Sequence, residues 1–323
     1  MPSRVWIAAA LLLTSCDAPD IAGSPCGPAL ALPELPDPYR PSELRLSELG
    51  LYRDIERKVL ADDVRAFEPA HPLWSDGADK RRWLRLPAGA RIDSSDMDHW
   101  RFPAGTMLFK EFSREGRRIE TRVIARTGCS DTDTWMGAFV WNGDESDALF
   151  APGGERDARG TRHDVPPAAS CPTCHDGEPG RVLGFSAVQQ PLAAAKLLSH
   201  PMPPFAPPGD AVTAAALGYL HANCGHCHNP NGSARPDTDM DLMLSIADRN
   251  PADAGAVRTT VGQALHYYRA SPLTLRVAPR DPDRSALLHR MLERGTGSQM
   301  PPLATEAIDP TGVAIVGAWI ESL

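Results

Sequence analysis

At 323 residues the chain is long enough to bury two hydrophobic cores. Its formal net charge of −8 argues against nucleic acid as a partner and for a solvated acidic surface, on which a protein steered by charge would dock with a basic face. Seven cysteines occur, and five of them fall in recognisable motifs.

The N-terminal stretch MPSRVWIAAALLLTSC has one basic residue, Arg4, an apolar run from Val5 to Leu13 and then small residues, the layout of an export signal. The run is too short to span a bilayer. It ends in Leu13-Thr14-Ser15-Cys16, which resembles a bacterial lipobox. The expectation is that residues 1–15 are removed and that Cys16 carries lipid, anchoring the chain to a membrane of the cell envelope on the periplasmic side. Residues 16–41, rich in proline, alanine and glycine, read as a tether. In an oxidising compartment Cys26 and Cys129, which belong to no motif, could pair.

Residues 42–165 read as a β-rich domain. A short helix begun by Ser42 offers Leu44, Leu46, Leu49 and Leu51 for burial. RRWLRLPAGARI alternates, GTMLFKEFSREGRRIETRVIART reads as two strands around Arg114-Glu115-Gly116, and WMGAFVWNGDESDALF supplies another strand and the turn Asn142-Gly143. Short strands between glycine and proline turns predict an antiparallel sandwich or jelly-roll-like domain. Trp74, Trp83, Trp100, Trp135 and Trp141 are expected to fill its core. Asp76, Asp79 and Lys80 read as a solvated turn.

Residues 166–209 form a connecting segment with the first cysteine motif, and 210–323 turn helical. DAVTAAALGYLHAN predicts a helix capped by Asp210, DPDRSALLHRMLERG a second closed by Gly295, and DPTGVAIVGAWIESL a third with Asp309 as cap and Pro310 at its first position. The predicted fold class is therefore α+β, an N-terminal antiparallel β-sandwich or jelly-roll-like domain followed by an all-α domain.

Cys171-Pro172-Thr173-Cys174-His175 and Cys224-Gly225-His226-Cys227-His228 repeat one pattern, Cys-x-x-Cys-His. Zinc accepts cysteine and histidine, and a redox disulfide needs only the cysteines. Neither requires histidine directly behind both pairs. Covalent haem does, because two thiols three apart reach the two vinyl-derived carbons of one porphyrin edge while the next imidazole comes under the iron. Met300, in GSQMPPLAT, offers a soft thioether as the sixth ligand opposite His228. Met202, in SHPMPPF, repeats the Met-Pro-Pro context and is the first choice for His175, with His200, Met97, Met107 and Met136 as competitors. No residue between 42 and 165 forms a catalytic constellation.

With helices around Cys224 and before the C-terminus and Met300 on a loop, residues 210–323 resemble a class I cytochrome c domain. HPLWSDGADKRRWLRLPAG, FPAGTMLFKEF, RRIETRVIAR, FVWNGDESDA, CPTCH, VLGF, HANCGHCH and MPPLATEAID together resemble a family of bacterial diheme c-type cytochromes with an N-terminal β-rich domain, over roughly residues 40–323. The resemblance implies two covalent haem c groups and single-electron carriage in the cell envelope between redox-protein partners. A haem enzyme of peroxidase type, or a redox sensor, with an open sixth position at His175 is the alternative.

Overall fold

The computed structural model describes residues 32–268 and 272–323, so the export signal, the lipid-bearing Cys16 and Cys26 lie outside the described residues. Cys129 is disulfide-bonded. Among the described residues no helix is long and apolar enough to cross a membrane.

The helix expected from Ser42 is a single 3-10 turn, Leu46–Leu49, closed by Gly50 at φ 74°, a left-handed position that glycine adopts without a Cβ clash. Strands β1 (Tyr52–Asp54) and β2 (Val59–Leu60) form a small antiparallel pair. Strands β3 (Val64–Ala66), β4 (Asp79–Arg85), β5 (Met107–Arg114), β6 (Arg117–Arg126), β7 (Thr134–Trp141) and β8 (Ala148–Phe150) then pair in chain order into one six-stranded antiparallel sheet. The β5–β6 hairpin turns at Glu115 and Gly116, with φ of 51° and 77°. Two successive positive φ values give the turn the hand that matches the twist of the strands.

Alternation along the strands separates two faces. Trp83, Phe109, Val123, Trp135 and Phe139 pack with Leu46, Leu49, Leu51 and Tyr52 in one core. On the opposite face Leu84 and Leu108 join Phe67, Trp100, Phe102, Val182, Phe185 and Leu198 in a second. The expected sandwich or jelly roll is thus corrected to one six-stranded sheet beside the small β1–β2 pair. A period of two shows that a strand is half buried but not what covers the other face. Here the cover is the connecting segment around the first cysteine motif rather than a second sheet.

The C-terminal half is also corrected: it is not an all-α cytochrome c domain. After α1 (Cys171–His175), the helices are α2 (Ala211–Leu220), α3 (Gly255–Thr260), α4 (Ala286–Leu292) and α5 (Pro310–Ser322). The longest has 13 residues. Between them the backbone pairs in isolated bridges, Val261 with Val277 and Ala264 with Leu275. Pro251 and Pro282 each open a 3-10 turn that leads into α3 and α4, and Pro301 and Pro302 lie in the non-helical stretch between α4 and α5. Asp210 and Asp309 cap their helices as expected, whereas α4 ends at Leu292 with Glu293 as its C-cap, short of the expected Gly295. Asp210 accepts from the Thr213 N–H, and Asp309 accepts from Thr311 and Gly312. Leu217 and Leu220 of α2 bury against Leu287, Leu288, Val316, Trp319 and Ile320 of α4 and α5. That core fixes the direction in which α2 runs into the second cysteine motif.

Candidate cofactor site

Both Cys-x-x-Cys-His motifs open onto one cavity of about 680 Å³ between the sheet and the helical half, within the range of about 300–1,000 Å³ typical of ligand pockets. Cys171, Cys174, His175, Cys224, Cys227, His228 and Met300 all line it. The four cysteines are free thiols, each partly accessible although it lies inside the fold.

The first motif is the one turn of α1 itself, with Pro172 in its first turn. The second is set by helix geometry, since α2 runs on through a π-helical turn, His221–Gly225, that ends on Cys224 and the following glycine. Turns of this kind occur often at functional sites. The two motif loops meet through glycines. A Cβ on Gly177 would stand 2.7 Å from the His226 carbonyl oxygen and 2.9 Å from Gly232 Cα, distances only a missing side chain permits.

At His175, Nδ1 lies 2.8 Å from the Arg181 carbonyl oxygen. A carbonyl can only accept, so Nδ1 carries the proton and Nε2 keeps its lone pair, the arrangement typical of a metal-ligating histidine. Burial pushes this imidazole down to about 4, so it is neutral near pH 7. Burial, followed by Arg290, does the same at His228, also to about 4. His228 Nδ1 is buried with no hydrogen-bond partner among the described residues, an orphaned polar atom of a kind that is rare in folded proteins.

The thiols differ. Burial pushes Cys224 up to about 12. Cys174 and Cys227 act on one another: the hydrogen bond between them is the largest influence on each, raising Cys174 to about 12 and lowering Cys227 to about 7. Cys174, His226 and Cys227 place their donor atoms within 4.8 Å of one another. Those three could hold a zinc-like ion with one position open. Such a site would use only one cysteine of each pair and neither of the trailing histidines.

Of the methionines, Met300 is on the cavity wall while its backbone N–H donates to the Arg290 carbonyl. Met202 is not. It packs against the cluster of Phe67, Trp100 and Phe185. Met107 lies in the core on the far side of the sheet, and Met136 reaches the cavity from β7. His221 is excluded as a donor through Nδ1, which accepts the Leu244 N–H at 3.1 Å.

Three residues outside both cysteine motifs, His71, Trp74 and Asp76, brace the site. His71 lines the cavity and packs on α2 so closely that a Cβ on Gly218 would stand 2.4 Å from its ring. Trp74, expected in the core, instead lies on the cavity wall and donates its backbone N–H to Asn223 Oδ1 at 2.7 Å, directly before Cys224. Asp76, expected in a solvated turn, is 5% exposed and accepts from the backbone of Glu306 and Ala307. All three lie in HPLWSDGADK, whose density of His, Trp and Asp was the available signal. No family model, curated protein or solved structure matches the chain.

Proposed function

We propose that the chain is a diheme c-type electron carrier of the bacterial cell envelope. The observation that carries this reading is the convergence of both Cys-x-x-Cys-His motifs and Met300 on one cavity, with His175 held by the Arg181 carbonyl in the tautomer that leaves Nε2 free. The donor set suits covalent porphyrin. Cys171 and Cys174 would form thioethers to one group and Cys224 and Cys227 to the other. In each case attachment would add the thiol S–H across a vinyl C=C, which would consume no oxidant. His175 and His228 would each hold one iron, with Met300 as a second ligand to the iron held by His228.

Haem supplies a one-electron couple when bound, and a neutral imidazole–thioether pair favours its reduced form. The chain's own part is to orient the imidazoles, exclude water with apolar walls and keep the two attachment sites adjacent. Adjacent sites favour transfer of single electrons from one to the other and on to a redox-protein partner.

The zinc reading is favoured by the grouping of Cys174, His226 and Cys227. Metal analysis of protein made in a host that attaches haem c separates the two. Two haems per chain are expected, falling to one in Cys171→Ser/Cys174→Ser and in Cys224→Ser/Cys227→Ser. Stoichiometric zinc without haem would overturn the proposal.

A further inference from the structure

Arg82, Lys110 and Arg122 stand directly opposite one another across three adjacent strands. The register pairs Arg82 of β4 with Lys110 of β5, and Lys110 with Arg122 of β6. Residues paired in this way share a face, and all three line the cavity. Like charges directly opposite one another destabilise a sheet, and burying them adds a desolvation cost unless a counter-charge is present.

The protein supplies little of that counter-charge. Arg122 is held by Glu120, at 2.6 and 3.0 Å, and Glu120 is shared with His163. Arg82 is 9% exposed, yet its guanidinium makes no hydrogen bond or ion pair among the described residues; Glu68 is the carboxylate that bears on it, at longer range. The Lys110 Nζ stands 4.9 Å from the centre of the Phe112 ring and forms no ion pair among the described residues; Glu120 is the carboxylate that bears on it, at longer range, while burial, Arg82 and Arg122 push it well below its ordinary value. A fourth basic group nearby, Lys80, is already committed to the Leu73 carbonyl. A sheet face that elsewhere carries Leu84, Leu108 and Ile124 thus carries three basic side chains at its centre, on the wall of a mainly apolar cavity.

We infer that this row is a carboxylate-binding site, and that it takes the porphyrin propionates of the haem held at Cys171, Cys174 and His175. The inference rests on the diheme reading. The row is near the first motif: Arg122 interacts electrostatically with Cys171 and Cys174, and both Lys110 and Arg122 bear on His175. Two propionates supply the two negative charges that Arg82 and Lys110 lack, and the planar guanidinium fork of Arg82 matches a carboxylate in a way a point charge does not. The arginines near the second motif differ. Arg276 and Arg290 donate to backbone carbonyls, and Arg276 also to Asp239.

The test uses holo-protein of the full chain, with haem counted per chain, the two midpoint potentials titrated and the propionate bands read by resonance Raman. In Arg82→Gln and Lys110→Met, both haems should stay attached. The potential of the haem that Cys171→Ser/Cys174→Ser removes should fall, because a cation near the iron is lost, and its propionate bands should shift. The other haem should not change, and Arg82→Lys and Lys110→Arg should restore the potential in part. Unchanged potentials and bands in the first two variants would overturn the inference while leaving the diheme reading intact. A wild-type potential that moves with inorganic phosphate, and stops doing so in Arg82→Gln, would assign the row to a soluble anion and also overturn it. Wild-type protein with no haem at the first motif would sink the diheme reading and this inference together. Should Lys110→Met fail to accumulate, Arg82→Gln alone decides.

Discussion

Asp76 accepts the backbone N–H of Glu306 through Oδ2 at 2.9 Å, and that of Ala307 through Oδ1 at 2.9 Å. One buried carboxylate before β4 therefore holds the loop that follows Met300, although more than two hundred residues lie between them. Hydrogen bonds to a charged group contribute about 1.5–3 kcal/mol. Asp76→Ala is expected to lose about that much in a denaturant titration. On the proposed function it also releases Met300, so the thioether-to-iron absorption of the second haem should weaken while the haem count stays at two. A variant that melts lower with that absorption intact would confine Asp76 to stability alone.

Met300 and Met202 share a Met-Pro-Pro context, and the fold separates them. Met300 is on the cavity wall and Met202 in the apolar cluster beside the sheet. Met300→Ala should lower the midpoint potential of one haem and let an external ligand such as imidazole bind it. Met202→Ala should do neither, and should cost about 2 kcal/mol or less, as expected for a half-buried side chain. Ligand-binding spectra of the two variants, read side by side, check the contrast.

The two motifs and the caps Asp210 and Asp309 were legible because their chemistry is local: thiols three apart with a histidine behind, and a carboxylate before a helical run. Hairpin β5–β6 was legible for the same reason, from its alternation and its glycine. What covers the sheet was not. That depends on which distant segment reaches the face carrying Leu84 and Leu108, and no period in β4 or β5 encodes it. Asp76 was misread as solvated because its partners are backbone groups far along the chain. The cationic row was hidden similarly, since Arg82, Lys110 and Arg122 become neighbours only through strand register. Short helices defeated the all-α expectation, because the segments between α2, α3 and α4 pair as isolated bridges and loops that apolar spacing does not reveal.

Glu120 is fully buried and accepts from Arg122 at 2.6 Å and from His163 Nε2 at 2.7 Å. Burial by itself would raise its carboxyl, but Arg122, and then His163, hold it below the ordinary value of 4.5. A carboxyl with a depressed folded-state value contributes stability above the unfolded value, and that contribution is lost as pH falls through the folded one. Wild-type protein should therefore lose stability below pH 4.5. Glu120→Gln leaves Arg122 without its counter-charge, which should cost about 3–5 kcal/mol at pH 7. Its stability should also vary less with acid, which denaturant titrations at pH 7 and at about pH 4 would measure, the lower value lying just under the unperturbed carboxyl range. An equal acid loss in both proteins would place the sensitive group elsewhere.

Gly232 sits where the second motif loop turns back over Cys227. A Cβ there would stand 2.1 Å from the Cys227 carbonyl oxygen and 2.6 Å from its carbon, and that same oxygen accepts the Ala234 N–H at 3.2 Å. The obstacle is backbone, which cannot swing aside as a side-chain tip can, so the loop itself must shift. Gly232→Ala is expected to cost at least about 1–3 kcal/mol, the usual range for overpacking. Gly297, by contrast, has open space around it, and Gly297→Ala should stay within about 0.5 kcal/mol of wild type. Because the displaced residue carries one of the two thiols of its pair, haem attachment at Cys224 and Cys227 should fall in Gly232→Ala while attachment at Cys171 and Cys174 holds. Mass spectrometry of the two haem peptides distinguishes a local shift of the loop from a general loss of folding, in which both would fall together.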